Sequence, residues 1–312
     1  MIDLHTHSNF SPDSDLRISS VIKAFSKEVS KNEEHYLSIT DHNFLGISFP
    51  IDIDKNIHML PGIELSVSYK PPEWSDPVEL HLICFWLDKI EDDYVKKMKE
   101  LCDVHYEQKE TFIDAVLVNI WSQTKIVITY DEVVRKAGGK HHTSLKHVAK
   151  CLYERGYGAD VDTILYDLTD PFSNMYITPN QYFSFPELND SCLIETVKNS
   201  KACVFLAHPL SYCLNDEELR SLVRYIKSFD GLVFGIEVYA PEYMMHKEKY
   251  EFLEKLAGDH EVLMSIGSDH HKKDQPFTTS SEYEVRSKKV MADIIHAWEN
   301  AYGGNTHVLH NE

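Results

Sequence analysis

The chain has 312 residues, 43% of them hydrophobic, which is enough to bury a large core in one barrel-type domain or in a barrel with an inserted subdomain. Fifty Asp and Glu against 31 Lys and Arg leave a formal charge of −19 at pH 7. That balance excludes wholesale wrapping of extended duplex nucleic acid, because non-specific binding to phosphate backbones rests on clustered Lys and Arg. A small anionic substrate stays compatible with it, since bound divalent cations invert the local field. Six cysteines stand scattered with no Cys-x-x-Cys pair, which fits reduced thiols better than a disulfide framework or a structural zinc site. No charged-then-apolar leader opens the chain, and its apolar runs fall far short of the ~20 residues needed to cross a bilayer. The expectation is a soluble cytoplasmic protein with no membrane partner.

In chain order, Ile2 to His5 reads as a strand, Ile18 to Val29 as an amphipathic helix opened by Ser19 or Ser20, and Tyr36 to Thr40 as the next strand. Short strands follow near Met59 and at Leu65 to Tyr69, then an aromatic-rich strand at Leu80 to Leu87 behind the Pro71-Pro72 turn. From about Glu91 to Pro179 the texture is helical, with an apolar period near 3.6 through Tyr94 to Trp121 and Leu145 to Tyr153, broken by Gly138-Gly139. No apolar strand ending in a ligand falls there, so residues 91–179 read as an α-helical insert and candidate substrate lid, between barrel segments 1–90 and 180–312. The βα alternation then resumes: helix Ser191 to Asn199, strand Ala202 to Leu206, helix Asp216 to Lys227, strand Val233 to Val238, helix Pro241 to Ala257, strand Val262 to Ile266 and helix Val290 to Glu299. About seven strands with active groups at their C-terminal ends predict an α/β fold, a distorted (β/α)7 TIM-like barrel, over an open doubly wound sheet.

Five apolar runs end in a histidine or carboxylate. His5 and His7 are two apart and share one face of a strand, so both can reach one metal. Asp13, in Phe10-Ser-Pro-Asp13, can swing back from a turn, with Asp15 as a rival. His42 ends Thr40-Asp-His42. Glu64 follows Pro61-Gly62-Ile63, a glycine turn that brings a carboxylate to the end of a buried strand, where a cation would offset its burial. His81 opens Leu80-His-Leu-Ile-Cys-Phe-Trp86, His208 comes directly off Cys203 to Ala207, and Asp269 and His271 follow Ser265-Ile-Gly-Ser268. Asp41, Glu237 and His270 also lie at strand ends, as supports for the ligands. His58, His105, His246 and His260 take no role.

Together these segments resemble the PHP family, named for its polymerase and histidinol-phosphatase members. The residues that carry the likeness are Asp3-Leu-His-Thr-His-Ser8, Ile39-Thr-Asp-His-Asn43, Ala207-His-Pro209 and Ser268-Asp-His-His271, with Gly62-Ile-Glu64 and Glu79-Leu-His81 between them. The resemblance implies a distorted barrel holding up to three metals: His5, His7, Glu64 and Asp269 at the first, Glu64, His81 and His208 at the second, and Asp13, His42 and His271 at the third. It also implies that catalysis depends on Glu64, Asp269 and His208. Mixed imidazole and carboxylate ligands suit two or three divalent ions, Mn²⁺, Zn²⁺ or Fe²⁺. Metals sharing a carboxylate can hold a bridging hydroxide as an in-line nucleophile on phosphorus, so the expected reaction is phosphate-ester hydrolysis.

A second resemblance lies in the insert. His141-His-Thr-Ser-Leu-Lys-His-Val-Ala-Lys-Cys-Leu-Tyr-Glu-Arg-Gly-Tyr157 is similar to the helical insert of the subgroup that acts on nucleoside 3′,5′-bisphosphates and short RNA ends. That subgroup carries Thr-Arg-Pro-His. Here His147 matches, while Leu145 and Lys146 stand at the Arg and Pro positions; Lys140, His142 or Lys146 are the candidates to replace the missing cation, though Lys and Arg are not interchangeable for phosphate. The expected substrate is therefore a nucleotide or short oligonucleotide end, bound by His142, Lys146 and His147, with histidinol phosphate or another phosphomonoester as the alternative. A non-catalytic metal-bound accessory module is the alternative of another class. A metal-dependent amidohydrolase could use a similar His-x-His pair, but its barrel would want a Lys or modified Lys where Glu64 stands.

Overall fold

The computed structural model describes residues 1–74, 76–278 and 281–303. Its elements are β1 (Ile2–Thr6), α1 (Ile18–Glu28), β2 (His35–Ile39), β3 (Ile51–Asp54), β4 (Ile57–Tyr69), β5 (Val78–Phe85), α2 (Asp92–Thr124), α3 (Tyr130–Ala137), α4 (Leu145–Glu154), α5 (Val161–Thr169), α6 (Ser191–Asn199), β6 (Cys203–Leu206), α7 (Asp216–Lys227), β7 (Val233–Tyr239), α8 (Pro241–Met244), α9 (Lys247–His260), β8 (Leu263–Ile266) and α10 (Ser281–Tyr302). Two compact units emerge: residues 1–9, 14–99 and 186–312 form one, residues 10–13 and 100–185 the other. Among the described residues no helix is long and apolar enough to cross a membrane.

The first unit is a mixed α/β body around one curled sheet of seven strands in the order β1-β2-β4-β5-β6-β7-β8, with β3 added beside β4. β1, β2 and β4 run parallel, as do β6, β7 and β8. β5 runs against both its neighbours. This departs from uniform βα alternation, and the reason is the short connection through Pro71 and Pro72: a hairpin can only return antiparallel, whereas a parallel return needs a crossover. Among the described residues no ladder closes the sheet between β1 and β8, so in place of the expected closed barrel stands a half-barrel with a seam. Across that seam run the isolated parallel bridge Thr6 to His270, the His7 N–H to His270 carbonyl bond at 2.9 Å, and the Ser268 N–H to Asp3 Oδ1 bond at 3.0 Å.

The two short strands expected near Met59 and Leu65 are one, β4. It changes partners as it passes Pro61-Gly62: residues 57–61 pair with β2 and residues 62–69 with β5. Glycine is required at position 62, since a Cβ would sit 2.1 Å from Ser38 Oγ and 2.8 Å from Thr40 Cγ2. The Pro61-Gly62 pair therefore allows a close strand approach rather than a turn. Strands β6 and β7 are buried along their whole length, as near-continuous apolar runs should be when both faces are covered.

The second unit is helical. Its core joins Ile113, Val116 and Ile120 of α2 to Val133 of α3, Val148 and Leu152 of α4, and Ile164 and Leu168 of α5. Thr129 and Glu132 close a capping box at the start of α3, and Gly138, at φ 81°, ends the helix in the left-handed conformation that glycine adopts at no steric cost.

Candidate metal centre

Strand geometry explains how the ligand candidates converge. The two-residue period of β1 puts Asp3, His5 and His7 on one face, opposite Ile2 and Leu4. His42 leaves β2 and forms a parallel bridge with Glu64. Glu64 and His81 stand inside β4 and β5 rather than at strand ends, because both strands run on into the hairpin. His208 follows β6, and Asp269 and His271 follow β8. His208 (φ 26°) and Asp269 (φ 50°) lie in the left-handed region, a conformation costly for residues with a Cβ and held only where surroundings over-determine it.

Glu64 is the hub. Its Oε2 lies 3.3 Å from His5 Nε2, 3.2 Å from His7 Nε2 and 3.1 Å from His42 Nδ1. Its Oε1 lies 2.8 Å from His81 Nδ1 and 3.2 Å from His208 Nε2. Asp269 Oδ1 completes one side, 3.2 Å from His5 Nε2, 3.1 Å from His7 Nε2 and 3.3 Å from His271 Nδ1. The imidazoles form a circuit, with ring centres 5.0 Å apart for His5 and His7, 4.7 Å for His7 and His42, 5.1 Å for His42 and His81, 5.2 Å for His81 and His208, and 5.8 Å for His208 and His5. His271 stacks on His7 at 4.0 Å.

The electrostatics are those of carboxylates that hold protons on imidazoles. Burial opposes a charge on His5, but Glu64, Glu237 and Asp269 outweigh it and raise its pKa well above the ordinary value. His81 is likewise raised, to about 10, by Glu64 and Glu79 against its burial. Burial works against the ionised forms of Glu64 and Asp269 too, yet the surrounding histidines hold both carboxyls below their usual range.

The donor set fits divalent cations. Three groups each gather ligand atoms within 4.8 Å of one another: His5, His7, Glu64 and Asp269; His42, Glu64 and His81; and His7, His42 and His271. His5 Nε2, Glu64 Oε2 and His81 Nδ1 are buried and make no well-formed hydrogen bond, although they lie within about 3.3 Å of opposite partners, a geometry that suits a shared ion better than a proton.

Surrounding residues fix the candidate ligands. Glu237, fully buried on β7, takes His5 Nδ1 at 3.1 Å and the His208 N–H at 2.7 Å. Its signal in the sequence is a lone acid inside the apolar run Val233-Phe-Gly-Ile-Glu-Val238. His208 Nδ1 meets Ser211 Oγ at 2.7 Å, which leaves Nε2 turned to Glu64. Asp41 accepts the N–H and hydroxyl of Ser8 at 2.7 and 2.6 Å and so fixes the turn after His7. Tyr212, which sequence reasoning missed, accepts the His81 N–H at 3.0 Å and donates to the Ala207 carbonyl at 2.9 Å. His270 is different: its ring stacks on Phe277 at 4.1 Å, and burial, with His271, lowers its pKa to about 4, so it packs as a neutral aromatic.

The remaining predicted residues fall elsewhere. Asp13 is exposed and groups with the helical unit, outside the three ligand groups; Asp15 is also exposed. In the helical unit His142 packs on Phe10 with ring centres 4.5 Å apart, and His147 Nδ1 meets Ser144 Oγ at 2.9 Å. Lys146 is half-buried near the start of α4.

No family model matches the chain, and no curated protein matches it. Solved structures do. An amidohydrolase from Chromobacterium violaceum, with sulfate and no metal bound, is 21% identical with a TM-score of 0.63, over 88% of each chain. A protein from Bifidobacterium adolescentis, provisionally described as a metal-dependent phosphoesterase, is also 21% identical, with a TM-score of 0.62 over 93% of this chain and 95% of that one. At this identity the likeness establishes a shared fold. Both of these neighbours carry hydrolase descriptions.

Proposed function

We propose that the protein is a metal-dependent phosphoesterase of the PHP kind, its sheet a TIM-like barrel and its helical unit a substrate lid. The observation that carries the reading is the division of labour at Glu64, one oxygen facing His5, His7 and His42 and the other facing His81 and His208. A carboxylate so placed suits a bridge between two cations, the first held by His5, His7, Glu64 and Asp269, the second by Glu64, His81 and His208 with His42 beside them. Asp13, His42 and His271 are assigned to a third. Bound there, divalent ions supply Lewis acidity toward phosphoryl oxygens and lower the pKa of water. The chain's own residues do the rest: Glu237 and Ser211 fix imidazole orientation, and Asp41 fixes the loop after His7.

The absence of a Lys at the Glu64 position favours phosphate-ester over amide hydrolysis, since a modified lysine bridge has no counterpart here. The insert segment around His147 supports a nucleoside 3′,5′-bisphosphate or a short oligonucleotide end as substrate, with His142 and Lys146 in place of the missing Arg. Scattered cysteines support a reducing, cytoplasmic setting.

The test is inorganic phosphate release by Mn²⁺-loaded protein across nucleoside 3′,5′-bisphosphates, mononucleotides and histidinol phosphate, with Asp269→Asn as control. Release confined to the bisphosphates supports the nucleotide reading, and release from histidinol phosphate replaces it with a general phosphomonoesterase. Metal bound with no phosphate release from any of these esters overturns the phosphomonoester reading, in favour of an internal phosphodiester substrate or a non-catalytic accessory module.

A further inference from the structure

The apolar stripe of α2 is interrupted once, by a charge. Lys109 stands at the helical spacing of Ile113, Val116 and Ile120, which face the core of the helical unit, and it is itself only 7% exposed. Lysine rarely enters such a stripe, because burial disfavours its charge unless acceptors offset the lost hydration. Among the described residues no carboxylate pairs with it. Nζ donates to the His141 carbonyl oxygen at 2.9 Å and lies 4.9 Å from the centre of the Tyr106 ring. An ammonium carries three donors; with one on the His141 carbonyl and one side turned to the Tyr106 ring, at least one has no oxygen or nitrogen acceptor among the described residues.

The surroundings deepen the imbalance. After burial, the groups that depress the His141 imidazole pKa are Lys140, Lys109 and His142, with Asp103 as the opposing carboxylate. Lys140, His141 and His142 come together in one 3-10 turn just past Gly138-Gly139, and Lys140 is exposed at its outer edge. In a chain of formal charge −19, this is a local concentration of cationic and imidazole groups around a buried ammonium. Burial lowers the Lys109 pKa to about 8, which leaves it mostly protonated at neutral pH. The plain structural role, a pin for the turn, would use one donor and could be met by a neutral side chain.

We infer that the helical unit carries an oxyanion site of its own, centred on Lys109 Nζ and the Lys140–His142 turn, that takes a phosphate group, free or esterified. The buried ammonium calls for an oxyanion whatever the metal centre does; the choice of phosphate among oxyanions rests on the proposed phosphoesterase reading. The site shares His142 with the proposed substrate segment and adds to it Lys109, which belongs to another helix and to the core stripe.

The experiment is a calorimetric titration of the full chain, kept in chelator so that no metal-borne binding intervenes, with inorganic phosphate and separately with a nucleoside 5′-phosphate. Sulfate serves as the control oxyanion. Lys109→Met is expected to weaken binding by about tenfold or more, the loss of a charge-assisted hydrogen bond, with far-UV and near-UV circular dichroism unchanged. Weakening toward both ligands identifies a free-anion site, and weakening toward the ester alone identifies a substrate phosphate. Equal affinity of a folded Lys109→Met protein for both overturns the inference. Should that variant fail to fold, Lys140→Met, at an exposed position of the same turn, decides: weaker phosphate binding is expected, and wild-type affinity overturns the site. Because these readouts use chelated protein, a failed phosphoesterase assay and a failed anion site are told apart.

Discussion

Glu237 Oε1 lies 3.1 Å from His5 Nδ1, while Oε2 of the same carboxylate accepts the backbone N–H of His208 at 2.7 Å. One buried side chain on β7 thus fixes an imidazole of β1, selecting Nε2 as its free face, and the backbone of the residue after β6 that meets the other oxygen of Glu64. A carboxylate behind a ligand histidine holds its tautomer and raises its basicity.

Replacing Glu237 should therefore separate affinity from folding. We expect Glu237→Ala to weaken metal binding by roughly 10- to 100-fold, and Glu237→Gln, whose amide oxygen still accepts from Nδ1, to cost less. Metal content after dialysis against a graded chelator series measures both. Equal retention by wild type and Glu237→Ala would remove Glu237 from the centre.

Asp269→Asn should abolish phosphate release and lower the bound metal without unfolding the protein. Position 269 has φ 50°, a region that asparagine enters more readily than most residues, so the backbone tolerates the change. A fully active Asp269→Asn enzyme contradicts the proposed cluster.

Gly267 leaves room for the Glu237 to His5 contact: a Cβ there would meet Glu237 Oε1 at 2.2 Å and His5 Cβ at 2.4 Å. Gly267→Ala should lose about 1–3 kcal/mol of stability through overpacking, and metal with it. Urea denaturation with and without chelator checks this, and a variant as stable and as metal-competent as wild type would show that the space is not tight.

Metal affinity should rise with pH. Carboxylates raise the His5 pKa well above its ordinary value and that of His81 to about 10, so protons must leave before either ring coordinates. The sign for stability follows from raised imidazole pKa values. In chelator the ion pairs contribute fully below the ordinary histidine value of 6.5 and fade as pH climbs toward about 10. Calorimetry in buffers of different ionisation enthalpy should register proton release on metal binding. No release, with affinity flat across that range, would count against these ligands.

Asp13→Asn should lower the metal stoichiometry by about one ion of three, as the proposed third site demands, while Asp15→Asn leaves it unchanged. Elemental analysis of the two variants decides between them, and unchanged stoichiometry in both would confine the centre to His5, His7, His42, Glu64, His81, His208, Asp269 and His271.

Much of the convergence of side chains on Glu64 can be read from the chain because a strand repeats every two residues. His5 and His7 must share a face, and an apolar run that stops at a histidine announces a strand end. The hairpin is less legible: nothing local in Val78 to Phe85 fixes its direction, which depends on the length of the connection before it. Pro61-Gly62 reads as a turn because those residues usually make one, and only the Ser38 and Thr40 side chains of a neighbouring strand explain its straight passage. β3 is half exposed, with a polar alternation that carries little apolar signal. One helix expected over Pro241 to Ala257 is two, parted at Met245 and His246. Lys109 escapes a periodicity count because a charged residue registers as a gap in the stripe, although its burial marks it as part of the stripe.

Among the described residues one isolated bridge, Thr6 to His270, spans the seam between β1 and β8, and the candidate ligands lie on both sides of it: His5 on β1 and His7 just after it, Asp269 and His271 beyond β8. An ion gripped by His5, His7 and Asp269 would act as a clasp between the first and last strands, tying together two stretches of chain more than 260 residues apart. Folding and metal loading would then be a single event at that edge of the sheet. Amide exchange at Thr6, His7 and His270 should slow on loading.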